Sequence, residues 1–309
     1  MSIKKQIVAL YEKIYSSDFI MSMLFFLKYH NEKINIMRAK DTIDYILLNE
    51  CSVARFGEGE LELMFYSERN LGFQNHSDEL SSKLEKVLQD HDNKLLICVP
   101  YALSDIRGRT KHSRLFWFNW CRTNDQRNQT IRLLKNYNLG QNTILGDTQI
   151  TRPYIAYQSK SRAKYLFQKL KCIWDGKDVM MVEGERTCLG VGNDLFSNTK
   201  SIKRVLCPAT NAFDVYNTIL ETVKEIWQGE LILLALGPTA TLLAADFSKY
   251  DIRAIDLGHL DIEYEWYLKG ASDHDIVEGK FTNESLGGNQ VEECSDEEYL
   301  KTIVAHIRC

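Results

Sequence analysis

The chain has 309 residues, of which 44% are hydrophobic and 26% are charged. This balance is typical of a globular protein and excludes a disordered or fibrous one. The formal net charge is −4, from 38 basic and 42 acidic side chains, and no long block of one sign occurs. Because nucleic-acid binding needs an extended basic surface, we expect no nucleic-acid partner.

Cysteine spacing and hydropathy bear on location. The eight cysteines never occur as Cys-x-x-Cys, and the chain is too long for a small secreted disulfide scaffold. We therefore expect a cytoplasmic protein, with the inner face of the membrane as a candidate location. The apolar stretch 19–27 is far shorter than the roughly 20 residues of a spanning helix, so no membrane span is predicted. That stretch favours core packing and leaves open peripheral membrane contact or a homo-oligomer.

Short, continuous apolar runs predict the strands. Proline ends three of these runs, at Pro100, Pro208 and Pro238, because proline cannot donate to a sheet ladder. Continuous rather than alternating apolar character predicts strands that are buried on both faces, as in a parallel sheet. The predicted strands cover 52–56, 95–99, 143–145, 179–182, 204–207, 231–236 and 253–257.

Amphipathic segments between these runs predict helices, with Asn211 and Thr239 as caps of two of them. Strands that alternate with helices indicate a doubly wound α/β sheet. We expect residues 1–40 to form a helical N-terminal extension and residues 41–309 to form a single domain. A long loop is predicted before the last helix. The predicted helices cover 77–90, 211–227, 240–247, 260–268 and 296–307, and the loop covers 270–295.

In such a fold, ligands bind beyond the carboxyl ends of the strands. Glu58 and Glu60 follow the first strand, separated by Gly59. Two carboxylates with this spacing can face one hard cation while the glycine lets phosphate oxygens approach. The alternative is a helix N-terminus that carries acids because the helix dipole favours them. Arg152 and Arg186 are candidate anion clamps, with surface salt bridges as the alternative.

A glycine-containing loop follows the fourth strand. Gly190 and Gly192, followed by Asn193 and Asp194, suit a backbone loop that wraps a phosphate or ribose. A plain turn is the alternative for this segment. The third glycine of the dinucleotide-binding fingerprint is missing.

The last strand is followed by a cluster of titratable groups. His259, Asp261, Glu263 and Glu265 lie among aromatic residues, so the segment offers proton-transfer groups and stacking surfaces for a sugar or base. The alternative is one face of an acidic helix. The other histidines lie in no comparable cluster and are predicted to be surface residues: 30, 76, 91, 112, 274 and 306.

Taken together, several segments resemble the GT-D-fold glycosyltransferases over residues 40–270. This resemblance implies a Rossmann-like, mostly parallel sheet that binds a UDP-sugar and a divalent metal, manganese first and magnesium second. It also implies transfer of a hexose to a glycan or glycoprotein acceptor in bacterial protein glycosylation or surface-polysaccharide biosynthesis. The segments are 55–60, 151–154, 184–186, 190–196, 207–213, 236–241 and 256–266.

The resemblance also implies site residues. The family's Asp-x-Glu metal motif falls on Glu58 and Glu60, so this chain has Glu58 where the family has aspartate. One of His259, Asp261 and Glu263 is expected to take the proton of the acceptor hydroxyl. The expected nucleotide-sugar-binding residues are Arg55, Gly57, Arg152, Glu185, Arg186, Gly190, Gly192, Asn193 and Asp194.

The departure at Glu58 motivates a second hypothesis. The extra methylene moves the carboxylate by about an ångström, comparable with the tolerance of a preorganised site. The chain would then be a non-catalytic nucleotide-sugar-binding partner of another transferase. A third reading, a methyltransferase or dehydrogenase, follows from the glycine loop alone. We expect activity to be retained, since Glu60 and the segment 259–266 are intact.

Overall fold

A sheet of eight parallel strands lies at the centre of the computed structural model, which describes residues 17–29, 34–89, 93–141 and 143–308. The strand order is β3-β2-β1-β7-β6-β4-β5-β8, and every pairing is parallel. The strands are β1 (Ser52–Arg55), β2 (Leu95–Val99), β3 (Gly146–Asp147), β4 (Asp178–Gly184), β5 (Ser201–Cys207), β6 (Leu231–Ala235), β7 (Ala254–Asp256) and β8 (Ile303–His306).

Helices cover both faces of this sheet, which confirms the predicted α/β fold class. None of the described helices is long and apolar enough to cross a membrane. The helices are α1 (Asp18–Tyr29), α2 (Ala39–Asn49), α3 (Glu58–Phe65), α4 (Asp78–Gln89), α5 (Lys111–Arg122), α6 (Gln126–Asn136), α7 (Ser161–Lys171), α8 (Tyr216–Ile226), α9 (Pro238–Lys249), α10 (Leu260–Lys269) and α11 (Glu297–Lys301).

Successive residues of each central strand enter different apolar clusters. Val53 of β1 packs with α2, α7 and α10 on one face, whereas Ala54 packs with α4, α5 and α9 on the other. Val179 and Met180 of β4 divide in the same way. Because side chains alternate across a strand, burial on both faces requires an unbroken apolar run. The continuous runs of the sequence therefore have this physical origin.

The N-terminal helix α1 joins the larger apolar cluster. Met21, Phe25 and Tyr29 are buried there, and the Tyr29 hydroxyl donates to the Cys121 carbonyl at 3.1 Å. Residues 1–16 and 30–33 of the predicted extension lie outside the described residues, as do His30 and His91.

Two predicted elements near the sheet edges are wrong. The third strand is Gly146–Asp147 instead of 143–145, because the missing side chain at Gly146 permits close pairing with β2: a Cβ there would lie 2.4 Å from Cys98 Sγ. The closing helix ends at Lys301, and Ile303–His306 forms edge strand β8 beside β5. Alternating burial along β8 is the pattern of a strand with one face covered.

Two predicted caps are also wrong. Asn211 precedes a short 3-10 turn, and its side-chain oxygen accepts from the Asn75 N–H instead of capping α8. Thr239 is buried within the first turn of α9, which begins at Pro238. The helix predicted over 77–90 is confirmed as α4. Four helices had no prediction, namely α2, α5, α6 and α7.

Candidate active site

Three adjoining cavities form a cleft at the carboxyl ends of the central strands. We call them the inner cavity (about 80 Å³), the carboxylate cavity (about 380 Å³) and the outer cavity (about 310 Å³). The inner and carboxylate cavities share the wall residues Phe73, Gly237, Gly258, His259 and Asn283. The carboxylate and outer cavities share Glu58, Trp117, Gln149, Arg152 and Glu284.

The inner cavity is mainly apolar. Phe73, Leu236 and Ile262 contribute to its wall together with Phe281. The loop after β4 also reaches it, through Gly184, Thr187 and Leu189. An apolar cavity with a few polar groups is the usual form of a site for a planar ring.

Arg55 and Asp256 form the floor of the carboxylate cavity. Arg55 Nε donates to the Thr148 carbonyl at 3.0 Å, and its Nη1 lies 3.3 Å from Asp256 Oδ1. Asp256 also accepts from the Gly258 N–H and the Thr241 hydroxyl. Gly258 has φ +49°, and a Cβ there would lie 2.0 Å from Arg55 Nη1. A glycine is therefore required for the guanidinium to lie against this turn.

Glu58 and Glu60 lie in the first turn of α3 and line the carboxylate cavity. Glu60 Oε2 accepts from the Gly57 N–H at 2.8 Å. Burial, and then the charge of Asp256, raises the pKa of Glu60 to about 7, and the charge of Arg55 opposes that rise only in part.

We tested whether these carboxylates fit a divalent metal. Within the described ranges, no group of three or more His, Cys, Asp or Glu side chains is placed to hold a metal ion. Glu58 and Glu60 offer two hard oxygen ligands beside a cavity with room for more. Mg²⁺-type sites commonly use one or two carboxylates and complete their shell with substrate phosphates and water. The donor set fits that kind of cation.

His259 stands just before α10, between the inner and carboxylate cavities. Its Nδ1 lies 3.3 Å from Glu284 Oε1, and Glu284 is ion-paired with Arg152. Burial would raise the pKa of Glu284, but Arg152 and then His259 outweigh it and lower the pKa to about 2. Burial lowers the pKa of His259. Glu284 opposes that lowering, because its charge favours the protonated imidazole.

His274 also belongs to this cleft, which corrects its prediction as a surface residue. It is half-buried, lines the outer cavity and lies 3.9 Å from Glu284 Oε2, with its ring against Trp266. His76 is half-buried as well, whereas His112 and His306 are exposed as predicted.

The carboxylate of Glu263 is fully buried and does not line the three cavities. Its Oε2 accepts from the backbone N–H groups of Tyr154 and Ile155, each at 3.0 Å, and Arg152 Nε lies 3.6 Å from its Oε1. Glu263 therefore fixes the segment that carries Arg152.

Asp261 lines the inner cavity but is held by two partners. Lys280 Nζ lies 2.6 Å from its Oδ2, and Asn193 Nδ2 donates to its Oδ1 at 2.8 Å. Glu265 meets the same two partners, Lys280 at 3.0 Å and Asn193 at 2.7 Å. These buried bonds join α10 to the β4 loop and to the segment after α10. Of the three residues expected to take a proton, His259 is the one that lines both the inner and the carboxylate cavity.

The loop expected to bind the nucleotide sugar has mostly other contacts. Asp194 accepts from the Tyr264 hydroxyl at 2.6 Å, and Glu185 lies 3.2 Å from His306. The Arg186 carbonyl accepts from the Phe281 N–H. The expected residues that do not line the three cavities are Glu185, Arg186, Gly190, Gly192, Asn193 and Asp194.

The cavities bring together the expected residues Arg55, Gly57, Glu58, Glu60, Arg152, Asp261 and His259. Neither periodicity nor a motif in the sequence indicates Glu284 or Asn283, which lie in the long loop before α11. Phe73 and Trp117 were likewise not predicted. Their aromatic side chains are the one feature that could have marked them.

Comparison with known proteins adds an independent finding. Residues 53–285 match the family model for the glycosyltransferase GT-D fold. The glycosyltransferase GlyD of Streptococcus pneumoniae is 34% identical over 275 residues, which are 89% of this chain and 33% of that protein. A probable glycosyl transferase, Gly, of Streptococcus gordonii is 34% identical over 276 residues, 89% of this chain and 39% of its own length. The chain thus spans well under half the length of these two relatives.

Solved structures agree with this match. A domain described as the highly conserved domain of unknown function 1792, with a distinct glycosyltransferase fold, superposes with a TM-score of 0.80 at 35% identity. The match covers 94% of this chain and 100% of that chain. A glycosyltransferase from Streptococcus sanguinis gives a TM-score of 0.79 at 33% identity and covers 89% of this chain and 100% of its own.

Proposed function

Because the chain belongs to the GT-D-fold glycosyltransferase family, we propose that it transfers a hexose from a UDP-sugar to a glycan or glycoprotein acceptor with a divalent cation. The observation that supports this most is the chemical order of the three cavities. An apolar cavity is followed by one lined by Glu58, Glu60 and three arginines, and then by one with histidine and aromatic side chains. A nucleotide sugar and an acceptor need groups in this order.

The inner cavity would receive the nucleoside. Phe73 and Ile262 supply apolar contacts, and Asn283 supplies a polar group at the junction with the carboxylate cavity. Arg152 lines the carboxylate cavity, in which the diphosphate would lie. Its planar guanidinium suits a phosphate, because the fork of N–H groups can bind two oxygens at once.

Glu58 and Glu60 would hold the cation, Mn²⁺ or Mg²⁺. When bound, such an ion neutralises the charge that develops on the leaving diphosphate and orients it. The pKa of Glu60 is raised mainly by burial and then by the charge of Asp256, and a bound cation would favour its ionised form. Glu58 also lines the outer cavity, so it lies between the donor and the acceptor space.

His259 would accept the proton of the acceptor hydroxyl. It must be neutral to do so, and burial lowers its pKa, which favours the neutral form near pH 7. Glu284 lies 3.3 Å from Nδ1 and would stabilise the imidazolium after proton transfer. Asp261 and Glu263 would act as positioning residues, because their oxygens are already bound by Lys280 and by backbone N–H groups.

A donor panel tests the proposal. The purified chain is mixed with UDP-, GDP- and TDP-hexoses, with Mn²⁺ or with a chelator, and thermal stabilisation and nucleotide release are followed. A ligand at a hundred times its dissociation constant adds about 2.7 kcal/mol to the free energy of unfolding. Mn²⁺-dependent stabilisation with nucleotide release from one UDP-hexose is expected. His259→Gln should abolish release while leaving stabilisation, and Glu68→Gln, which changes an exposed carboxylate just after α3, should change neither.

Two outcomes would contradict the proposal. Stabilisation without release from any donor, with a panel of glycan acceptors present, would favour the non-catalytic nucleotide-sugar-binding partner suggested by Glu58. The Glu58→Asp variant then tests whether Glu58 is the cause of the missing activity. Nucleotide release by this variant would assign the defect to that side chain. If no sugar nucleotide stabilises the chain, the assignment of a sugar-nucleotide donor is wrong.

A further inference from the structure

A separate cavity of about 710 Å³ lies outside the cleft, at the carboxyl end of edge strand β3. We call it the basic cavity. Arg38, Arg109 and Arg162 line it, with Tyr101 and Tyr157 between them. In all, five basic side chains and three acidic ones contribute to its wall: Arg38, Lys40, Arg107, Arg109, Arg162, Asp41, Asp105 and Asp147.

Three guanidinium groups of this cavity have neutral hydrogen-bond or ring partners. Arg109 is only 1% exposed, and its guanidinium donates to Gln149 Oε1 and, at 3.4 Å, to the Tyr157 hydroxyl. Arg162 stacks on the Tyr157 ring at 4.7 Å, and Arg38 donates to the Tyr101 hydroxyl at 3.3 Å. Within the described ranges, none of these three arginines forms an ion pair with a carboxylate.

Other charges of the wall are largely compensated among themselves. Arg107 is ion-paired with Asp105 at 2.6 Å, and Lys40 with Asp44 at 2.7 Å. Asp147 is buried and accepts from the backbone N–H groups of Tyr101 and Gln149. Burial raises the pKa of Asp147, and the charges of Arg109 and Arg162 oppose that rise, so Asp147 offsets part of their charge. With five basic and three acidic side chains, the wall still carries an excess of positive charge.

Two helices also begin at this cavity. Arg38 is the N-cap of α2 and makes no side-chain cap, so the first N–H groups of an 11-residue helix lack a side-chain acceptor at that position. Arg162 lies in the first turn of α7, another 11-residue helix, whose N-cap also lacks a side-chain bond. Helix N-termini carry a partial positive charge and bind anions. The two helix N-termini therefore add positive potential to that of the arginines.

We propose that the basic cavity binds a phosphate monoester or diphosphate, separate from the sugar nucleotide. Planar guanidinium forks and helix N-termini are the groups that bind phosphate oxygens best in proteins. Among the described residues, buried Arg109 has no ion-pair partner and Asp147 offsets its charge only in part, so a bound phosphate would add the missing compensation. The phosphate would be carried either by the acceptor glycan or by a free metabolite.

The position of Arg109 connects this site to the cleft. Gln149, its hydrogen-bond partner, lines the carboxylate and outer cavities. Thr110, the next residue, also lines the outer cavity. A phosphate bound by Arg109 would thus lie one side chain away from the space proposed for the acceptor.

Calorimetric titration of the chain with pyrophosphate, inorganic phosphate and glucose 6-phosphate tests this site, each with and without saturating UDP and Mn²⁺. The test variant is Arg38→Gln/Arg162→Gln, in which Arg38 is exposed and Arg162 half-buried, and each single variant is measured as well. The matched control is Arg132→Gln/Arg308→Gln, which removes the same charge elsewhere. We expect binding that persists with UDP and weakens about tenfold or more per arginine in the test variant, but not in the control.

The anion panel also identifies the source of the phosphate. Glucose 6-phosphate binding at least about tenfold tighter than inorganic phosphate would indicate a phosphorylated glycan, whereas tighter pyrophosphate binding would indicate a free anion. Binding that UDP displaces completely would place the anion in the cleft and overturn the proposal. Equal affinity of the test variant and the wild type, or no binding of any anion, would overturn it too.

Discussion

Lys280→Met removes the cation that joins the segment after α10 to that helix. Lys280 is 3% exposed and lies 2.6 Å from Asp261 Oδ2 and 3.0 Å from Glu265 Oε1. Methionine keeps most of the length and apolar stem of the side chain. The variant therefore leaves two buried carboxylates whose remaining side-chain partner is Asn193.

The cost follows from this geometry. Breaking a buried ion pair by removal of one partner costs about 3–5 kcal/mol, because an uncompensated charge stays buried. The Asn193 amide still donates to both Asp261 and Glu265, so we expect the lower half of that range, about 3 to 4 kcal/mol. Adding Asp261→Asn and Glu265→Gln to the methionine variant should recover most of the loss, since no buried charge is then left alone.

Urea unfolding at pH 8 and pH 5 measures this effect. Burial raises the pKa of Asp261, and Lys280 opposes that rise. Without Lys280 the raised pKa favours the protonated, folded form as the pH falls, so the deficit of the variant should narrow from pH 8 to pH 5. Lys301→Met, which removes an exposed pair with Glu298, is the control and should cost at most about 0.5 kcal/mol.

The result that would refute this reasoning is a loss at pH 8 as small as that of the control. It would mean that water reaches the Asp261 and Glu265 carboxylates and that the segment after α10 is not held by this contact. A loss that stays constant between pH 8 and pH 5 would refute the electrostatic cause while leaving the contact itself.

Three further predictions concern the cleft. Gly258→Ala should lower the free energy of unfolding by more than the roughly 1–2 kcal/mol that a positive φ costs, because the new Cβ meets the Arg55 guanidinium. Gly270→Ala, at φ +64° with open space around it, should cost only the backbone part. Equal losses of the two variants in urea unfolding would contradict this prediction. The pKa of Glu284 is lowered from 4.5 to about 2, so its ionised form stabilises the folded state by up to about 3 kcal/mol above pH 4.5. This stability is lost as the pH falls toward 2. Glu284→Gln should therefore show a smaller loss of stability over this acid range in pH-dependent unfolding. Glu60→Gln should weaken Mn²⁺ binding by the UDP complex about tenfold or more by calorimetry, and unchanged affinity would exclude that carboxylate as a ligand.

The sequence predicted the strands well where both sheet faces are covered. Buried strands such as β4 and β6 must be apolar at every position, so composition alone marks them. The predicted position of β3 is wrong because the pairing of this strand with β2 depends on the small volume of Gly146 and not on an apolar run. β8 was mistaken for helix because a short apolar stretch beside the true helix α11 does not fix its own period.

The candidate site was predictable only in part, for a topological reason. Arg55 ends β1, Glu58 and His259 follow strands, and the carboxyl ends of parallel strands meet at one edge of the sheet. Glu284 reaches the same cleft from an irregular segment, so neither periodicity nor strand position indicates it. The pairing of Asp261 with Lys280 depends on how that segment returns to α10, which spacing along the chain does not show.

The way α10 is held makes the cleft depend on contacts between distant parts of the chain. Its anchoring bonds join residues far apart in the chain, with 109 positions between Tyr154 and Glu263 and 68 between Asn193 and Asp261. The Arg55 contact with Asp256 spans 201 positions. Each such contact closes a large loop, and the entropy of that loop is lost when the contact forms. Pairing of β1 with β7 closes the same loop as the contact between Arg55 and Asp256. The cleft therefore depends on the long-range pairing of the sheet and cannot form from local contacts alone.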